Sequence, residues 1–188
     1  MRGFIAIELP ETIQKALAEF QQELNNCGSD VRLTRPENIH LTLKFLGNIE
    51  EDKADIIAEK IKGICKEQSG FKIGVSGTGM FPNMRSPRVL WAGIDLNDDI
   101  VTLQKGIEEA MASLGFEKEK RRFSPHLTLG RFRSSRGKKA VLDKMDSCRE
   151  NIFGIMDVDS VLLMRSDLGP TGAKYTKIAK CKLIARNS

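Results

Sequence analysis

The sequence predicts an α+β domain made of two related halves. Three observations predict it. Alternating apolar runs and helical periodicities succeed one another along the chain, and no linker or low-complexity stretch divides them. One tetrapeptide, His-Leu-Thr-Leu, occurs twice, at 40–43 and 126–129. Residues 4–7 read as a first strand, closed by Pro10. Residues 11–26 form a helix that Thr12 can cap, with Ile13, Ala16, Leu17, Phe20 and Leu24 at helical spacing. A turn follows at 28–30, then an alternating strand at 39–46 that ends at Gly47. Residues 52–66 form a second helix, with Ile56, Ile57, Ile61 and Ile64 on one stripe. Strands at 71–75 and 89–94 are joined by the Gly/Pro-rich stretch 77–87. A third helix spans 100–114 and stops at Gly115. The strand 126–132, a short helix 139–145 and strands 158–164 and 176–185 complete the series, the last two separated by a turn at 169–172.

The 188 residues suit one compact bilobal domain spanning 1–188. A chain of this size buries roughly 70% of its unfolded surface, so no disulfide or metal staple is needed. Apolar residues are 40% and charged residues 29%, which excludes disordered and fibrous classes. No apolar run is long enough to cross a bilayer. The N-terminus turns acidic at Glu8 before a secretory apolar region forms, so a cytoplasmic protein without a membrane partner is expected; no heptad or exposed apolar stripe points to an interface, so a monomer is expected. Cys27, Cys65, Cys148 and Cys181 are scattered without a Cys-x-x-Cys pair and read as reduced thiols.

Charge is unevenly placed. The net charge is +5, yet residues 118–139 hold nine Lys or Arg and one acid, Glu119, for a local +8. The remainder is therefore −3. A slightly acidic body with one basic segment suits a phosphate-bearing partner.

The duplicated tetrapeptide carries the chemistry. The two histidines of the chain, His40 and His126, both open it. Chance would place Leu-Thr-Leu after the second histidine about once in 2,500 trials at this composition. Proline precedes each copy (Pro36, Pro125) and glycine follows each (Gly47, Gly130). Strand side chains alternate faces, so His and Thr share one face and the leucines the other. The leucines can enter a core while two imidazoles and two hydroxyls line one cavity. Histidine's ordinary pKa near 6.5 lets one ring take a proton while the other gives one. Each role is worth roughly 10²- to 10⁴-fold in rate. Thr42 and Thr128 can donate to phosphoryl oxygens, and Arg131 adds fixed positive charge near the same edge. Two histidines without a nearby carboxylate or cysteine at ligand spacing do not complete a zinc site, so no metal is expected.

Further segments extend the pattern: Arg-Gly-Phe-Ile-Ala-Ile-Glu-Leu-Pro at 2–10, Pro-Glu-Asn-Ile-His-Leu-Thr-Leu-Lys-Phe-Leu-Gly at 36–47, Phe-Pro-Asn at 81–83, Pro-Arg-Val-Leu-Trp-Ala-Gly at 87–93 and Phe-Ser-Pro-His-Leu-Thr-Leu-Gly-Arg at 123–131. In these residues the chain resembles the 2H phosphoesterase superfamily, named for two His-x-Thr/Ser motifs. It is most similar to the RNA 2',3'-cyclic phosphodiesterase branch, the LigT-like proteins also called 2'-5' RNA ligases. Near the C-terminus, Gly169-Pro170 and Tyr175 are similar to the family pattern, with Thr-Gly-Ala-Lys inserted between them.

The resemblance implies two pseudo-symmetric lobes around a central cleft, each an antiparallel sheet with helices outside. It implies metal-independent, cofactor-free opening of an RNA 2',3'-cyclic phosphate to a 2'-phosphate, with tRNA fragments among the candidate substrates. His40 would then be the acid that protonates O3', and His126 the base that activates water. Thr42, Thr128 and Arg131 would hold the phosphate.

By parity, Phe45 goes with the core leucines. Phe132 goes with His126 and Thr128, as a stacking surface at the cleft edge or as core. Arg85 and Arg88 are placed to grip an RNA backbone, Trp91 reads as structural, and Tyr175 is left between cleft and surface. Three rival functions stand beside hydrolysis: reversible 2'-5' ligation in the same site, a small-nucleotide cyclic phosphodiesterase, and a non-catalytic RNA- or nucleotide-binding module.

Overall fold

A computed structural model of the chain describes residues 1–83, 85–170 and 172–186. Nine strands and four helices lie in it: β1 (Arg2–Glu8), α1 (Glu11–Asn25), β2 (Val31–Leu33), β3 (His40–Asn48), α2 (Lys53–Cys65), β4 (Phe71–Phe81), β5 (Val89–Ile94), α3 (Asp98–Ser113), β6 (His126–Phe132), α4 (Lys138–Ser147), β7 (Ile152–Val158), β8 (Ser160–Gly169) and β9 (Gly172–Lys182). The strands make two antiparallel sheets, ordered β3-β1-β8-β9 and β2-β6-β5-β4-β7. Each tetrapeptide opens a strand, β3 in the first sheet and β6 in the second. No helix among the described residues is long and apolar enough to cross a membrane.

The duplication is visible in the topology. β1-α1-β3-α2 repeats as β5-α3-β6-α4, and β1 pairs with β3 as β5 pairs with β6. The first helix of each unit leaves its own sheet. α1 packs against β7 of the second sheet, and α3 packs against β3 of the first. Each half thus lends a helix to the other. The main apolar core accordingly draws on both sheets, with Ile5, Leu41 and Leu43 from one and Leu90, Leu127 and Leu129 from the other.

Local departures from the sequence reading have structural causes. α1 is not capped by Thr12. Its N-cap is Pro10, whose carbonyl accepts from the Ile13 and Gln14 amides at 3.0 Å, leaving Thr12 inside the first turn. Ile56 is exposed, while Ile57 and Ile61 of the same helix are buried. β4 does not end at residue 75 but runs through the first five residues of the Gly/Pro-rich stretch. A register shift between Val75 and Thr78, with Gly77 at φ +75°, lets the strand continue past the break in alternation. β7 is a strand the alternation did not disclose. Phe153 and Met156 are buried while Ile152 and Ile155 are exposed, so its burial has no period of two. The predicted turn at 169–172 includes Thr171, which lies outside the described residues; Gly169 and Gly172 pair across it.

The motif strands carry the feature that positions the site. Ala6 faces Thr42, but Ile5 faces Lys44, so Leu43 is an extra residue on β3. Trp91 faces Thr128, but Leu90 faces Gly130, so Leu129 is an extra residue on β6. Each strand therefore has a β-bulge at the same motif position, and alternation changes phase there. On β3 the consecutive residues Leu43 and Lys44 are both buried, and Phe45 emerges 76% exposed. The placement of Phe45 in the core is thereby overturned. Removing a buried leucine should cost far more than removing this phenylalanine. Leu127→Ala is expected to lower unfolding free energy by about 2–5 kcal/mol. Phe45→Ala should stay within about 0.5 kcal/mol. Urea denaturation of the two variants checks both values.

Candidate active site

The site is built from the half-exposed face of the two motif strands. His40 and Thr42 line a cleft of about 1180 Å³ together with His126 and Thr128. The intervening leucines are buried beneath them. The bulge brings Arg131 onto the cleft wall, although simple alternation would have sent it to the opposite face from His126. Phe132 is turned away by the same phase change. It packs on the main core, with the Lys138 ammonium 5.4 Å from its ring centre, and does not line the cleft.

Both imidazoles are held in one way. His40 Nδ1 lies 3.1 Å from the Asn38 carbonyl oxygen, and His126 Nδ1 lies 2.8 Å from that of Ser124. A carbonyl only accepts, so Nδ1 must carry hydrogen in each ring. That leaves each Nε2 as the exchangeable position, a base when bare and an acid when protonated. Each carbonyl belongs to the residue two positions before its histidine, so the segment entering each strand sets the tautomer locally.

Aromatic neighbours fix the ring planes. His40 makes edge contacts with Phe4 (centroids 6.2 Å apart) and Tyr175 (5.7 Å). His126 makes an edge contact with Phe81 at 4.8 Å, and Trp91 stands 6.5 Å away. Tyr175 therefore reaches the His40 ring, and Trp91 stands near His126 besides packing on Phe81. Phe4 and Phe81 were not singled out by sequence. Their only signal was phenylalanine within the quoted segments, and cross-strand register is what delivers them.

The surroundings of His40 bear on its charge. Burial pushes His40 below the ordinary histidine value. The Asn38 carbonyl and the Glu8 carboxylate oppose that shift, and the Lys177 ammonium adds to it. Glu8 is the cross-strand partner of His40 and pairs with Lys177 at 2.6 Å.

Basic groups rim the cleft. Lys118, Lys120, Arg121 and Arg122 line it with Arg88, whereas Arg85 does not. The remainder of the chain also proves uneven in charge. Residues 172–186 hold Lys174, Lys177, Lys180, Lys182 and Arg186 and no acid. Among the described residues, no group of three His, Cys, Asp or Glu side chains converges as a metal would need.

Two antiparallel sheets that present a His-x-Thr pair from each half to one cleft define the 2H phosphoesterase class. The chain matches the family described as LigT like phosphoesterase over residues 7–91 and 94–175, and it belongs to that family. It is 32% identical over 183 residues to the RNA 2',3'-cyclic phosphodiesterase of Methanothermobacter thermautotrophicus, covering 97% of this chain and 99% of that one. It is 35% identical to the protein of the same name from Methanocaldococcus jannaschii, covering 95% and 98%. A crystal structure from Thermus thermophilus superposes over 100% of both chains with a TM-score of 0.84 and 28% identity. E. coli LigT complexed with 3'-AMP shares the fold at a TM-score of 0.77 and 23% identity, over 97% of each chain.

The lowering of His40 is measurable. In a proton NMR titration, the His40 ring should titrate below pH 6.5. Glu8→Gln should lower that midpoint further, and Lys177→Met should raise it. Because the folded value lies below the unfolded one, His40's contribution to stability is complete above about pH 6.5 and is lost as the pH falls through the folded value. A His40 midpoint at or above 6.5 would remove this account.

Proposed function

We propose that the protein hydrolyses RNA 2',3'-cyclic phosphate ends to 2'-phosphates by a two-histidine mechanism that needs no metal. The observation that carries the reading is the matched pair of imidazoles in one cleft, each with Nδ1 committed to a backbone carbonyl and Nε2 left exchangeable. Relatives named RNA 2',3'-cyclic phosphodiesterase, sharing 32–35% identity over nearly the whole chain, supply the substrate class. On this reading the 188 residues act as one bilobal domain, one motif per half.

The reaction follows from the roles. Neutral His126 takes a proton at Nε2 from water, and the water oxygen bonds to phosphorus in line with O3'. The P–O3' bond breaks, and protonated His40 delivers its Nε2 proton to O3'. The product has a 2'-phosphate and a 3'-hydroxyl, and both rings re-equilibrate with solvent. The Thr42 and Thr128 hydroxyls donate to the nonbridging oxygens, and Arg131 offsets the charge that builds on them. The assignment of acid and base follows the family resemblance. In the free protein, burial biases His40 toward its neutral form. The anionic phosphodiester, once bound, favours its protonated form. Substrate binding thus charges the acid where it is used.

The deciding experiment incubates the protein in EDTA with a short RNA ending in a 2',3'-cyclic phosphate and identifies the product terminus. The expected product is the 2'-phosphate. His40→Ala and His126→Ala should each lower kcat by at least about 10²-fold with RNA binding retained. The single tryptophan, Trp91, stands beside His126 and reports that binding by fluorescence. Bell-shaped profiles are expected, with the kcat bell at higher pH than that of kcat/KM, since the first reports the complex and the second the free protein. Binding without turnover would point instead to the non-catalytic module. A product joined to a second RNA would point to ligation.

A further inference from the structure

The cleft floor contains an ion pair that the chemistry above does not use. Lys44, two residues after Thr42, is the residue that the β3 bulge turns inward. Its side chain is 4% exposed and that of its partner, Glu108 of α3, is 13% exposed, at 2.9 Å. The other ion pairs among the described residues have at least one exposed member. The ammonium also donates to the Glu117 carbonyl at 2.8 Å. Glu108 in turn accepts from the Glu119 amide at 3.3 Å and from Gln104 Nε2 at 3.4 Å. One buried charge pair therefore grips the chain on both sides of Lys118. The neighbouring Glu109 takes the Lys118 ammonium itself at 2.5 Å.

The gripped segment is the cleft's basic rim. Lys118, Lys120, Arg121 and Arg122 follow one another along it and line the cleft. Among the described residues, Lys120, Arg121 and Arg122 have no carboxylate at ion-pair distance. Pseudo-symmetry shows that the grip is not required by the motif. The counterpart of Lys44 on β6 is Gly130, where a Cβ would lie 2.9 Å from Val31 and 3.0 Å from the Arg32 carbonyl of β2. In that half a strand flanks the motif strand. In the first half β3 is the sheet edge, and the charged pair holds a loop beside it instead.

We infer that Lys44 and Glu108 are positioning residues that hold the 117–122 loop as a subsite for the phosphate backbone of RNA upstream of the reacting end. The inference rests on the proposed RNA phosphodiesterase reading for its ligand, and on the geometry alone for the grip. A terminal mononucleotide does not reach such a subsite, whereas a longer strand does, and ordered cations bind a backbone better than a loop that must be ordered on contact.

Three variants test it: Lys44→Met, Glu108→Gln and the double variant. Limited trypsin digestion reads the grip without reference to activity, because Lys118, Lys120, Arg121 and Arg122 are themselves cleavage sites. Each single variant should be cut in this loop about tenfold faster than the parent, and the double variant no faster than the more affected single, as expected of one coupled pair. Kinetics read the subsite. The ratio of KM for a pentaribonucleotide 2',3'-cyclic phosphate to KM for a mononucleotide 2',3'-cyclic phosphate should rise about tenfold. Glu108→Gln keeps the shape of the side chain, so it serves if Lys44→Met does not fold. Unchanged loop cleavage overturns the grip. Faster cleavage with KM rising equally for both substrates overturns the subsite and leaves a structural pair. If the parent turns over neither substrate, the phosphodiesterase reading and the subsite assigned from it both fail, while digestion still judges the grip.

Discussion

An extra residue at the same motif position of each strand, Leu43 and Leu129, organises the rest of the structure. Before the bulge, alternation sends His and Thr to the cleft and the leucines to the core. After it the phase reverses, so that Phe45 and Arg131 at equivalent positions both reach the cleft. Without the bulges, Arg131 would point away from the two histidines and Lys44 would face solvent in the cleft. The bulge thus lets one short strand contribute a cleft-facing His-Thr pair, a buried core and a charge-bearing residue in nine residues or fewer.

A bulge interrupts the hydrogen-bond ladder and needs support from outside its sheet. The exchanged helices provide it. Gln21 of α1, itself buried, donates to the Leu129 carbonyl at 2.8 Å, at the β6 bulge. Glu108 of α3 receives Lys44 from the β3 bulge. Each half therefore braces the other half's motif strand at its extra residue or the one after it. Two imidazoles on different sheets can keep a fixed separation only if the sheets are fixed to each other. The shared core and these two cross-links do that.

The halves are alike in backbone and unlike in environment. Both rings hold the same tautomer through the same local hydrogen bond. Around them, His40 has Phe4, Tyr175, Glu8 and Lys177, whereas His126 has Phe81 and Trp91. The acid–base mechanism proposed above places one neutral and one protonated ring in the cleft at the same pH. The duplicated backbone gives both rings one hydrogen-bond geometry, and the aromatic and charged neighbours around them differ.

Local pattern sufficed for much of this. The paired tetrapeptides, the facing of His, Thr and Leu within them, the four helices and the bounds of β5 and β6 follow from periodicity over a few residues, which side-chain sterics and apolar burial enforce on any chain. What local pattern could not supply was register. The bulges at Leu43 and Leu129, the continuation of β4 past Gly77, the strand β7 and the inward turn of Lys44 depend on which residue of a distant strand each one faces. A period-two reading assumes an unbroken ladder, and one inserted residue reverses the assignments that follow it up to the next shift, as Phe45 and Phe132 show. The amino-acid order by itself determined that two His-x-Thr motifs come as a pair, each on its own strand. Only the tertiary structure decided what surrounds each ring, because those neighbours arrive from strands and loops remote in sequence and meet through packing rather than spacing.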